Sequence, residues 1–176
     1  MLKHMGQRQI HLITTGGTIE KRYVEQMGAM VNTEPQIRRM LAMLRLGDTE
    51  IAVQELMNKD SLLMTDDDRV MIADAVAASL KPDTPVVITH GTDTMVQSGL
   101  AIDASISAPP APVILTGAMT PFGIEGSDAL QNLTESLLAS SLLASGVYIV
   151  FHGAVFPIGD VRKDVERSRF VRSSNG

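Results

Sequence analysis

Hydrophobic and polar positions along the 176-residue chain follow two rhythms in turn. Short apolar runs recur at 10–15 (IHLITT), 51–57 (IAVQELM), 85–90 (PVVITH), 112–118 (PVILTGA) and 147–153 (VYIVFHG). Three of them are almost continuously apolar, as parallel strands are when helices cover both faces. Between them lie segments of helical spacing. In TEPQIRRMLAMLRLG (33–47), Ile37, Met40, Leu41 and Leu44 fall on one face. Thr33 and Gln36 stand at capping-box spacing, Pro35 suits a first turn, and Gly47 marks a stop. TDDDRVMIADAVAASLKP (65–82) opens at Thr65, with Ile72, Val76 and Leu80 on one stripe. DTMVQSGLAIDASIS (93–107) and GSDALQNLTESLLASSLLAS (126–145) supply two more helices. The order β-α-β-α-β-α-β-α-β predicts an α/β fold of three layers, a mostly parallel sheet with helices on both faces.

Two segments fit no regular element. Residues 19–32 form a long connection after the first strand and a candidate lid, and residues 159–176 make a charged end. No repeat or low-complexity linker divides the chain. One domain is expected over residues 1–170, with 171–176 as a disordered tail and no C-terminal domain.

Composition narrows the possible partners. A net charge of −5 and 3% aromatic residues argue against a nucleic-acid partner, which needs a basic face or stacking platforms. Absence of cysteine excludes disulfides, thiolate metal sites and cysteine nucleophiles, and suits a reducing cytoplasm. No run is long enough to span a bilayer, so no membrane partner is expected. The triplet Asp66-Asp67-Asp68 reads as first-turn carboxylates complementing a helix dipole, so neither metal nor cofactor is expected. A small-molecule ligand remains.

In such sheets, ligands gather beyond the carboxyl ends of the strands. The residues found there are GGTIEKRY, NKDSLLMT, GTDTM, MTPFG and AVFPIGDVRK, which bring hydroxyls, a carboxylate and a lysine to one edge. Gly16-Gly17 poses a question: does the turn cradle a phosphate or present Thr18? It matches neither G-x-G-x-x-G nor G-x-x-x-x-G-K-[ST], and Asp93 at the third turn would repel phosphate. Alone, the pair reads as a tight strand-to-loop turn.

It is not alone. TGGTI (15–19) and HGTDTM (90–95) together, followed through DSLLMT (60–65), LTGAMTP (115–121), SDALQNL (127–133) and GDVRK (159–163), resemble the bacterial-type L-asparaginase family of amidohydrolases. The likeness runs over nearly the whole chain, in the order of that family's N-terminal domain. It implies a flavodoxin-like or Rossmann-like sheet and hydrolysis of the side-chain amide of L-asparagine, or a related small amide, to acid and ammonia. By the same resemblance Thr18 is the nucleophile and Tyr23 a mobile residue closing over it, while Thr92, Asp93 and Lys163 form a second catalytic cluster. A lysine between a hydroxyl and a carboxylate can exchange a proton when burial and charge balance. Ser61 and Asp93 would hold the substrate's α-carboxylate and α-ammonium groups. Backbone around Gly17, Gly91 and Ala118 would contact the amide, and N–H groups near Thr92 would stabilise the oxyanion. His90 reads as a structural polar residue, and His11 and His152 as satisfied core histidines.

The chain departs from the family in two places. The family's smaller C-terminal domain supplies an acidic residue to a neighbouring protomer's site, and nothing in this sequence matches it. Leu62 stands where family members carry a polar residue that contacts substrate, and an apolar side chain there disfavours free amino acids. Two alternatives to the amidohydrolase follow: a non-catalytic module binding a small amide or amino acid, and a deamidase subunit of a larger amidotransferase. A homodimer or higher homo-oligomer is expected, since an uncovered site and many apolar helix positions favour self-association.

Overall fold

All five apolar runs become strands of one sheet. The computed structural model describes residues 7–175. Along the chain come β1 (Arg8–Gly16), β2 (Lys21–Val24), β3 (Ala29–Asn32) and α1 (Ile37–Met43). Then follow β4 (Thr49–Lys59), α2 (Asp66–Ser79), β5 (Val86–Thr89), α3 (Met95–Ser105) and β6 (Pro112–Thr116). The last are α4 (Ala129–Ala139), β7 (Gly146–Phe151), β8 (Ala154–Pro157), β9 (Arg162–Asp164) and β10 (Arg169–Val171). The main sheet runs β4-β1-β5-β6-β7-β8, parallel up to β7 and antiparallel only at β8. The chain leaves β1 for β4 on one side and then returns to β5 on the other. The carboxyl ends of β1 and β5 therefore flank the crevice where strand order reverses.

Side-chain alternation along the strands builds two cores. Ile10 and Leu12 of β1 and Val87 of β5 pack with Ile37, Met40, Leu133 and Leu137 of α1 and α4. Ile13 and Ile88 point the other way, onto Ile72, Val76 and Ile102 of α2 and α3. Burial on both faces is why these strands read as continuous apolar runs.

Several expectations change. The Thr33–Gln36 capping box does not form; α1 begins at Ile37 with no cap from its own N-terminal side chain, and the carboxylate of Glu20 accepts from the Gln36 N–H instead. The helix also ends at Met43, before Gly47. Thr65 does cap α2, in a capping box with Asp68 whose two bonds measure 3.3 and 2.8 Å. Residues 19–32 are regular: Ile19 and Glu20 finish a 3-10 turn, and β2 pairs antiparallel with β3 from Lys21↔Asn32 to Val24↔Ala29. The charged end folds into the β9–β10 hairpin. Val171 lies in β10, and Arg172 and Ser174 bond Asp160, so the expected disordered tail begins inside ordered chain; Gly176 lies outside the described residues. His152 is no core histidine: it stands in the turn after β7 at φ 50, with Nε2 2.7 Å from Asp128. His11 meets Gln54 at 3.0 Å.

Candidate active site

The two adjacent glycines answer to sterics. A Cβ on Gly16 (φ 101) would lie 2.4 Å from both N and O of Lys59. One on Gly17 (φ 80) would lie 2.3 Å from the Gly91 nitrogen. The end of β1 is thus wedged between the ends of β4 and β5, backbone against backbone, in a conformation that favours glycine. The next residue, Thr18, opens the 3-10 turn Thr18–Glu20 and is half-buried. Three bonds hold the turn's entrance: Gly17 N–H to Lys59 O at 2.8 Å, Glu20 N–H to Gly17 O at 3.1 Å, and Asn32 Nδ2 to Gly17 O at 3.0 Å.

The end of β5 is packed as tightly. His90 is fully buried, with Nδ1 donating to Gly91 O and Nε2 accepting from Ser98 Oγ, both at 2.8 Å. Burial drives its pKa down to about 4, so the ring is a neutral structural element. Gly91 has no room either: a Cβ would sit 2.4 Å from Ser61 Oγ. Ser61 is buried beside it, and its Oγ has no hydrogen-bond partner among the described residues. An unpaired buried hydroxyl is costly unless a ligand completes it. On the other flank, a Cβ on Gly117 would meet His90 O at 2.3 Å, which presses the β6 turn and the fully buried Ala118 against β5.

From Asp93 and Thr92 the site reaches seventy residues along the chain. Lys163 Nζ donates to Asp93 Oδ1 at 2.7 Å and to Thr92 Oγ1 at 2.8 Å. Thr92 is buried, whereas Asp93 keeps part of its side chain open. The lysine is held there by its hairpin. Its partner across β9–β10 is Phe170, which is buried and stacks edge-on against Phe151 of β7 with ring centres 5.1 Å apart.

Not every expected site residue joins this cluster. Tyr23 sits on β2 opposite Met30, 55% exposed, and its hydroxyl makes no hydrogen bond to Thr18 among the described residues. It lines a groove with Arg39 and Ile124. Leu62 follows Ser61 in the 3-10 turn Ser61–Leu63 and is 70% exposed, with its N–H committed to Asp60 Oδ1 at 3.1 Å.

Sequence reasoning passed over three supports. Lys21 binds Asp60 at 2.6 Å, which ties the β2–β3 hairpin to the Ser61 turn and holds the Asp60 carboxyl below its ordinary pKa. Asp128 accepts from Met119 and Thr120 N–H at 2.9–3.1 Å. Burial works against its charge, but these N–H groups and the His152 ring outweigh it and keep the pKa low. Glu20 is the third, 1% exposed and two residues beyond Thr18. Burial lifts its pKa to about 7, against the pull of the Gln36 and Ile37 N–H groups. A charged residue directly after the buried Ile19 of TGGTI was the available signal.

Fold and site together define an α/β domain that gathers two threonines, an aspartate and a lysine at the switch point of a parallel sheet. Residues 9–170 match the N-terminal asparaginase domain, and the chain belongs to the asparaginase family. It is 33% identical over 140 residues to an L-asparaginase of Thermococcus kodakarensis, covering 80% of this chain and 43% of that protein. It is 29% identical over 157 residues to a glutamyl-tRNA(Gln) amidotransferase subunit of Methanococcus vannielii, covering 87% and 36%. The thermostable L-asparaginase structure from T. kodakarensis superposes with a TM-score of 0.83 at 30% identity, over 93% of this chain and 51% of that one. L-asparaginase I of Vibrio cholerae gives 0.77 at 25% identity, over 95% and 52%. The chain therefore spans about half or less of the length of these relatives. No helix among the described residues is long and apolar enough to cross a membrane.

Proposed function

We propose that the chain is an amidohydrolase that releases ammonia from the side-chain amide of L-asparagine or a related small amide, with Thr18 as nucleophile. The observation that carries the reading is Lys163 Nζ bridging Thr92 Oγ1 and Asp93 Oδ1 at 2.8 and 2.7 Å. A ligand-binding module has no need of a lysine shared between a hydroxyl and a carboxylate. Proton transfer does. In this scheme the Thr18 hydroxyl attacks the amide carbon and gives up a proton, the one the amide nitrogen takes on departure, and N–H groups near Gly91 and Thr92 receive the oxyanion. Collapse breaks the C–N bond as the amide nitrogen takes a proton and leaves as ammonia. A water then attacks the acyl ester, and as its proton is relayed through Thr92 and Lys163 to the Thr18 oxygen the ester C–O bond breaks, which releases the acid and restores the Thr18 hydroxyl.

On the substrate side, the unpartnered Ser61 Oγ and the open side of Asp93 suit an α-carboxylate and an α-ammonium group. Tyr23 reaches Thr18 in this reading only when the hairpin closes over bound substrate. Leu62 offers no polar group and shifts preference toward N-blocked or uncharged amides. Exposed Leu62, Leu63, Val70 and Met71 favour a homodimer, checked by light scattering at tens of micromolar, roughly where weak specific interfaces populate. The lack of cysteine suits the cytoplasm.

A second reading follows from the relatives named as amidotransferase subunits: the ammonia released here serves a partner chain, and "no activity alone, activity with a partner" is its signature. An ammonia-release screen over asparagine, glutamine, N-blocked asparagine and small amides tests the first reading. Failure to release ammonia from any of them at high enzyme concentration would reject it for the isolated chain.

A further inference from the structure

We propose that Glu20 is a positioning residue for the nucleophile: its buried carboxylate straps the Thr18–Glu20 turn to the start of α1 and so sets how the Thr18 hydroxyl is presented. The proposal rests on Thr18 being the nucleophile.

Thr18 and Glu20 share one turn of 3-10 helix, closed by Glu20 N–H to Gly17 O and Lys21 N–H to Thr18 O. Motion of one is therefore motion of the other. The glycine contacts fix the turn's entry, and Ile19 anchors its middle in the core with Leu12, Ile37 and Met40. At its exit, Lys21 is held by Asp60 and by pairing with Asn32, and Glu20 is the side chain that ties the turn to α1. One carboxylate oxygen accepts from the Gln36 N–H, and the Ile37 N–H bonds the same group. These are among the first N–H groups of α1, which have no partner within the helix. A serine or aspartate in place of Gln36 could cap α1 locally. The chain instead buries a carboxyl from sixteen positions away, and that choice links the helix to the nucleophile's turn.

The surroundings make this strap sensitive to its own charge. Glu20 Oε1 is buried without a partner, as are the hydroxyls of Thr14 and Thr89. By strand alternation those two face the same side of the sheet as Leu12 and Val87, toward α1. The charged groups nearby are committed elsewhere. Glu55 of β4 repels Glu20 and is held by Arg38 of α1 at 3.0 Å, Lys21 is taken by Asp60 at 2.6 Å, and Arg39 lies over the Phe122 ring at 5.4 Å. No cation among the described residues neutralises Glu20. Desolvation accordingly lifts it to about 7. Ionised, it accepts charge-assisted bonds from α1; protonated, it accepts weaker ones. The strap therefore changes character as Glu20 ionises, and the presentation of Thr18 changes with it.

The test follows the Thr18 side chain directly, by methyl NMR of the unliganded protein from pH 5 to 9, with the Gln36 and Ile37 amides read in the same samples. We expect all three signals to titrate together near pH 7 in the wild type and to be flat in Glu20→Gln. Glu20→Asp, which keeps a carboxyl on a shorter arm, should restore a titration. In ammonia release, Glu20→Gln should lower kcat on the order of tenfold at pH 8 with KM within about twofold, because misorientation of an attacking group acts on the chemical step. Its kcat profile should also lose the limb near neutrality. A Thr18 methyl that stays flat while Gln36 and Ile37 titrate would overturn the positioning role, as would amides that do not titrate at all. Should no amide yield ammonia, the amidohydrolase reading fails, while the wild-type NMR titration still decides whether Glu20 governs the Thr18 turn.

Discussion

The floor and the rim of the candidate site are built to opposite rules. On the floor, Gly16, Gly17, Gly91 and Gly117 leave no space for a methyl group, and His90, Ala118 and Thr92 are buried. On the rim, a Cβ on Gly28 would meet nothing within 4 Å, and Tyr23 and Leu62 are 55% and 70% exposed. Groups assigned to bond-breaking therefore hang from backbone that cannot drift. Tyr23 and Leu62 sit where substitution costs the fold little, whereas the buried Ser61 belongs with the floor. A family can keep one chemistry on such a floor and change its substrate at the rim.

Paired glycine substitutions give the harshest test of that contrast. Gly17→Ala should destabilise the fold by on the order of 3–5 kcal/mol, combining an overpacked backbone contact with a left-handed residue. Gly28→Ala, at φ 58 with open space around it, should cost only about 1–2 kcal/mol. Urea unfolding measures both, and equal costs would erase the distinction between floor and rim.

Next in size is Lys163→Met. It removes both bonds to Thr92 and Asp93 while the aliphatic stem stays, so ammonia release should fall by about 10²–10⁴-fold with an unchanged unfolding midpoint. Retained turnover would leave the lysine a mere hairpin anchor.

The buried floor also predicts how stability depends on pH. Glu20 titrates near 7 in the fold against an ordinary value of 4.5. The folded chain holds that proton more tightly, so its contribution is full below 4.5 and is lost as pH rises through about 7. His90 works in the opposite sense: held near 4 against an ordinary 6.5, it contributes fully above 6.5 and loses that contribution as pH falls toward 4. Glu20→Gln removes only the first dependence. Relative to wild type, it should gain on the order of 3 kcal/mol between about pH 4.5 and pH 8, seen in urea midpoints. A constant difference across that range would mean Glu20 titrates normally.

The smallest effect belongs to the rim. Leu62→Gln should improve free asparagine over N-blocked amides by about tenfold in kcat/KM, the worth of one hydrogen bond to a charged group. Stability should not change, given the exposure of Leu62.

The same division governs what can be read from sequence. The five sheet strands are legible because burial on both faces makes them continuously apolar, and α2 because Thr65 and Asp68 cap it within four residues. The β2–β3 hairpin is not. Its strands, KRYV and AMVN, mix charge with apolar residues, and its turn at Glu25–Gly28 lacks an Asn-Gly signal. The start of α1 misleads because its cap comes from Glu20, whose distance along the chain no local spacing rule encodes. Edge strand β8 merges with the preceding run, since only the turn at His152-Gly153 separates them. At the site, Thr18 and the Thr92-Asp93 pair lie in quotable motifs. Lys163 stands seventy residues beyond Asp93, where only the family resemblance points to it.

The central claim is that the glycine-packed floor presents Thr18 as a nucleophile. Thr18→Val is its most direct test, because valine keeps the branched shape and removes the hydroxyl alone. Ammonia release would be measured for wild type and variant at matched folded concentration, on whichever amide the wild type turns over. The account predicts a loss of at least about a thousandfold with an unaltered unfolding midpoint. Wild-type turnover by Thr18→Val would contradict it and leave the Gly16-Gly17 turn as backbone geometry with no nucleophile to serve.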